Sequence, residues 1–174
     1  MATPAQPKTP VELDRIVRSS AGWCFWIAGL TAVNAVLTVS GSDVSFLIGT
    51  MIAQGVMYLA KDSGAIAQFL AIAFNLGVIG FFVGMGFAAR RGKRWPFVLA
   101  FVAYTLDSLV LLLDPHAMAI GFHAWALFSL YVGFISAGRL RKAIDAEAAA
   151  AQPFAPPVLA TPAATAAPPT LAHA

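Results

Sequence analysis

WPFVLAFVAYTLDSLVLLLDPHAMAIGFHAWALFSLYVGFISAGRL, residues 95–140, consists of two apolar runs joined at Asp114-Pro115. Four basic residues, Arg90, Arg91, Lys93 and Arg94, stand before it, and Arg139, Arg141 and Lys142 close it. Each run is long enough to cross a bilayer, and positive charge marks both open ends, so the stretch reads as a membrane hairpin. Asp107 and His123 lie well inside the runs, where ionisable groups are costly and signal a site.

Composition supports that class. The chain has 174 residues, of which 59% are hydrophobic and only 11% charged, whereas roughly a quarter of a soluble domain is charged. A mean hydropathy of +0.77 means more apolar surface than a soluble domain of this length can hide, and a bilayer can cover it. The net charge of +3 conceals segregation: ten of eleven Lys and Arg residues fall in the clusters Lys8/Arg15/Arg18, Arg90–Arg94 and Arg139–Lys142. At the ends of apolar runs this is the positive-inside pattern rather than a nucleic-acid footprint. The single cysteine, Cys24, excludes an intramolecular disulfide and a cysteine metal cluster.

Outward from the hairpin, residues 64–89 form the longest apolar run. Gln68, Ala71, Asn75 and Phe82 share one face, while Gly77, Gly80 and Gly84 lie roughly opposite. Gly80-x-x-x-Gly84 permits close helix contact, so this span is expected to pack on both sides, either at the centre of the bundle or at an oligomer contact with a second copy or another membrane protein. Residues 22–39 form the first span, with Trp23 and Trp26 near the headgroup region. The run exceeds the core of a signal peptide, so it is read as retained. Cys24, Thr31, Asn34 and Thr38 fall on one side of it.

Residues 44–60 are apolar but interrupted by Gly49, Gln54 and Gly55. If they crossed, Arg90–Arg94 would be delivered to the outside, against the charge rule. The segment is therefore read as non-spanning, either a helix in the outer interface or a re-entrant segment, with Thr50, Gln54, Tyr58 and Lys61 as a polar stripe. The fold expected is an all-α integral membrane bundle of four transmembrane helices (22–39, 64–89, 95–113, 116–137) plus that non-spanning segment. Within the membrane domain, 11–142, residues 11–18 suit a short interfacial helix. Residues 1–10 and 143–174 are Ala- and Pro-rich tails whose composition predicts disorder, with 143–151 able to prolong the last helix. Both termini are expected in the cytoplasm and the chain in the inner (plasma) membrane.

Asp107 is seven residues before Asp114 and His123 eight after Pro115, so both lie about 10 Å below the outer end of the hairpin. Asn34 and Asn75 come by the same counting to the outer half or near the midplane. Four polar groups from four spans are thus expected to converge, either as a structural hydrogen-bond network or as a proton or cation site. His116 and His123, about 10 Å apart along one helix, are too distant to share a metal. A haem would lack a facing ligand, since His173 is in the tail. No cofactor and no catalytic residue is expected, because there is no phosphate loop, zinc-protease helix or G-x-S-x-G elbow.

Arg90-Arg91-Gly92-Lys93-Arg94-Trp95, Tyr104-Thr105-Leu106-Asp107 and Gly121-Phe122-His123-Ala124 together resemble a group of uncharacterised small bacterial four-helix membrane proteins. The resemblance covers residues 22–142. It implies a bacterial polytopic inner-membrane protein and carries no activity with it. Two function classes remain: a non-enzymatic bundle that associates with itself or another membrane protein, and a proton- or cation-coupled carrier or channel component built on Asp107 and His123.

Overall fold

The computed structural model describes residues 8–41, 49–113 and 117–151. Every regular element among them is helical: α1 (Pro10–Val39), α2 (Met51–Ala60), α3 (Ala65–Arg90), α4 (Trp95–Val110) and α5 (Ala117–Ala151), with a 3-10 turn (Leu111–Leu113) ending α4. Four of these, α1, α3, α4 with its terminal turn, and α5, are long and apolar enough to cross a membrane, whereas α2 has only 10 residues.

α1 is longer than the expected span. Thr9-Pro10-x-Glu12 makes a capping box: Thr9 Oγ1 accepts from the Glu12 amide at 3.3 Å, and the Thr9 amide donates to Glu12 at 2.8 Å. Pro10 sits where its missing N–H costs nothing. No breaker separates residues 11–18 from residues 22–39, so the interfacial helix and the first span fuse into one rod. At the other end of the chain, α5 runs on through residues 143–151 to Ala151, as alanine propensity suggests. The Asp114-Pro115 turn, His116, residues 1–7, 42–48 and the tail beyond 151, His173 included, lie outside the described residues.

Small residues set the packing. Ala21, Ala28, Ala100, Ala126 and Ala137 are buried in one core with Ile27, Phe82, Phe97 and Leu130. A Cβ on Gly133 of α5 would overlap Phe97 and Ser20, and one on Gly86 of α3 would stand 2.8 Å from Phe25. These two glycines, rather than Gly77, Gly80 and Gly84, let the helices close on each other. The three glycines singled out from the sequence are instead exposed on the outside of α3, with nothing within 4 Å of where a Cβ would lie. The bundle contacts only the other face of α3, through Ala71, Asn75, Phe82, Gly86 and Ala89. α3 therefore does not stand at the centre of the bundle, because α1, α2 and α4 all gather on one side of it.

The basic clusters meet at one end. Leu13, Ala89 and Leu140 belong to the same core, the Arg90 guanidinium lies 4.5 Å over the Phe25 ring, and Arg94 lies 4.3 Å over Phe134. α2 sits at the opposite end and folds back along α3, with Met57 and Ala60 against Ala71. Its first residues reach Asn75, ten residues and so about 15 Å along α3 from that helix's start. It is a short helix whose first turn is set among α1, α3 and α4. The stripe read from its sequence does not share one environment: Thr50 is buried, Gln54 half-buried, Tyr58 and Lys61 exposed. The face that α2 turns inward is Ala53, Met57 and Ala60.

Candidate functional site

A helix that starts inside a bundle exposes amide N–H groups to an interior without water to satisfy them. α2 begins in this situation, and the buried side chains of Thr31, Asn34, Asn75 and Asp107 are gathered around its first turn. Thr50, the N-cap residue, makes no side-chain cap of its own. Its amide donates to Thr31 Oγ1 of α1 at 3.2 Å. The Met51 and Ile52 amides donate to the two oxygens of Asp107 on α4, at 3.0 Å and 2.8 Å. Asn75 of α3 holds the same turn from the other side, its side-chain amide donating to the Ala53 carbonyl at 3.0 Å. Asn34 Nδ2 closes in on Gly49, where an added Cβ would stand 3.0 Å from it and 3.4 Å from the Thr31 amide nitrogen. A side chain at 49 would press on Asn34, so the close approach here favours glycine.

Behind Asp107 stands His123. Its Nε2 lies 3.3 Å from Asp107 Oδ2, and its Nδ1 lies 2.8 Å from the Ala119 carbonyl one turn earlier on α5. The Ala119 carbonyl can only accept, so Nδ1 carries a hydrogen. The Nε2–Oδ2 contact then needs a second hydrogen, on the imidazole or on the carboxyl. Either way the pair is neutral as a unit and shares one interior proton. Tyr104 lies flat against the imidazole, with ring centroids 4.7 Å apart and planes 3° from parallel. Asp107, His123 and Tyr104 are all buried, at 3%, 2% and 0% exposure.

The distances rank Asp107's partners. At 3.3 Å the imidazole contact is longer than a strong charge-assisted bond, while both amide contacts fall within the ordinary range. Asp107 is first the cap of α2 and second the partner of His123. The sequence placed Asp107 and His123 level on adjacent helices, and they are in contact. Asn34 and Asn75 reach the same locus, but through α2 and not as direct partners of the pair. The sequence reading missed the acceptor role of Asp107 and the part played by Thr31 and Thr50. The available signal was Gly49-Thr50 just before a short apolar run, a helix start with no acidic residue in its first turn.

The same hydrogen accounting fixes the threonines. Thr31 Oγ1 donates to the Ile27 carbonyl at 2.8 Å, so across its 3.2 Å contact with Thr50 Oγ1 the donor is Thr50. Among the described residues no three His, Cys, Asp or Glu groups come together as a metal site. The fold and the site define a bundle of four helices of membrane-spanning proportions, with a short capped helix set into one end. Comparison with known protein families, characterised proteins and solved structures finds no match.

Double-mutant analysis separates the two roles of Asp107. Asp107→Leu leaves two amides and an imidazole without their acceptor, whereas His123→Leu leaves both α2 amides capped. Asp107→Leu should therefore cost about 3–5 kcal/mol and His123→Leu distinctly less, measured as thermal unfolding in detergent. The double variant should fall short of the sum by about 0.5–3 kcal/mol. Equal single losses would contradict the capping role, and strict additivity would contradict the pair.

Proposed function

We propose that this chain is a small multi-pass protein of a bacterial inner membrane, with both termini cytoplasmic, and that it works as a non-enzymatic bundle associating with its own copies or with another membrane protein. The observation that carries this reading is the outer face of α3. Gly77, Gly80 and Gly84 form an exposed ridge with open space before each, on a helix whose opposite face is fully engaged. In lipid, helices associate by close backbone approach, and such a ridge presents backbone with no side chain in the way. The polar interior supports the same reading, since both oxygens of Asp107 and both nitrogens of His123 are engaged within the chain.

The clustering of basic residues at one end of the bundle supports the orientation. Reporter fusions at Gly92 and after Lys142 should both give cytoplasmic signals, and a periplasmic signal at Gly92 would overturn it. For association, Gly80→Leu should abolish the oligomer seen by cross-linking in native membranes while leaving the unfolding midpoint within about 0.5 kcal/mol of the parent. Gly133→Ala provides the contrast, since overlap with Phe97 and Ser20 should cost about 1–3 kcal/mol. An oligomer that survives Gly80→Leu would refute the ridge.

A second reading, a proton- or cation-coupled carrier or channel component, is favoured by the shared interior proton of Asp107 and His123. It requires that reconstituted vesicles acidify under an imposed potential and that His123→Gln stop the flux. Vesicles no leakier than protein-free ones would eliminate it.

A further inference from the structure

Between α2, α3 and α4 a lateral groove of about 430 Å³ opens on the flank of the bundle. Its walls are apolar and partly aromatic, with Phe74 and Phe81 from α3 and Leu106 from α4. Two polar side chains line it, Thr50 and Asp107, each only 3% exposed. A groove in this position faces lipid once the bundle lies in a bilayer, so its occupants are drawn from the membrane phase. That clause rests on the membrane reading above and is independent of the glycine ridge.

The polar groups at its floor have a defined sense. The Thr50 hydroxyl hydrogen is committed to Thr31, which leaves lone pairs on Thr50 Oγ1. Asp107 accepts two amide hydrogens and shares the proton of His123, and a carboxylate has acceptor capacity beyond those three. A polar group entering the groove therefore meets side-chain acceptors and is matched by a donor. Charge narrows the choice further. The Asp107 charge is already balanced by His123 and by the positive N-terminal end of α2, so an added ammonium would be in excess. A neutral hydroxyl is not.

We propose that the groove is a binding site for a membrane-borne alcohol, a molecule with a long apolar body and a hydroxyl head that donates to Asp107 or Thr50. The apolar body lies against Phe74, Phe81 and Leu106, and the hydroxyl replaces the dry contact that a hydrocarbon chain would make with the two acceptors. Both acceptors already have partners within the chain, so what separates an alcohol from an ordinary acyl chain is one added hydrogen bond to a spare lone pair.

Photolabelling of the full chain in phosphatidylcholine vesicles tests this. The probes are a long-chain alcohol carrying a mid-chain diazirine, its methyl ether, and the matching amine. The alcohol should label the groove residues Phe81 and Leu106 about five- to tenfold more than the methyl ether, the worth of one buried hydrogen bond. Ala103→Leu, which fills the groove from the α4 side, should remove that excess. Gly77→Leu fills it from α3, where nothing stands within 4 Å of the new Cβ, and should do the same if Ala103→Leu proves unstable. Gly80→Leu lies off the groove and should keep the labelling even as it disperses oligomers, so failure of the ridge and failure of the groove are told apart. Equal labelling by alcohol and ether would mean adventitious lipid only and would overturn the site, as would labelling that survives both filling variants. Preferential labelling by the amine would overturn the neutral-hydroxyl assignment in favour of a cation site.

Discussion

Two amide hydrogens, on Met51 and Ile52, have to be satisfied in an interior that offers no water, and a single carboxylate from α4 does it. The arrangement of the bundle's far end follows from that requirement. α4 must present Asp107 at the height of α2's first turn. α5 must bring an imidazole to the same place to balance the carboxylate. α1 contributes Thr31, and α3 holds the carbonyl side of the turn through Asn75. α1, α3, α4 and α5 all bring polar side chains to one locus, α1 bringing both Thr31 and Asn34, and elsewhere the helices meet through small or apolar residues.

The two ends of the molecule are held by different physics. At the basic end, close approach dominates: alanines, Gly86 and Gly133 allow backbones to near each other, and arginines lie over phenylalanine rings where the chain leaves the apolar zone. At the α2 end, hydrogen bonds dominate and the walls stand further apart, leaving the groove beside Asp107. In α3 this contrast appears within one helix, one face packed against three neighbours and the other a bare glycine ridge.

The four long helices were legible because apolar run length is a strong signal. The meeting of Asp107 and His123 was also legible: counted from Asp114-Pro115 they stand level, and both are buried and in contact. Two things were not legible. The outward direction of Gly77, Gly80 and Gly84 depends on which face of α3 meets three neighbours, and a pattern with two plausible faces does not rank them. The capping of α2 by Asp107 is a contact between residues more than fifty positions apart, made to backbone amides that leave no mark in composition.

That separation has a consequence for how the chain is assembled. Ribosomes deliver Met51 and Ile52 well before Asp107, which is 55 residues downstream of Ile52. Until α4 emerges and turns, the first turn of α2 has no acceptor, and its stable location is the aqueous border where water can serve its amides. Seating α2 inside the bundle is therefore a late event, gated by the arrival of α4 and sealed by α5. The early nascent chain has two anchored helices and a short third one waiting at the surface, and the dip into the interior is completed only when the last hairpin closes over it.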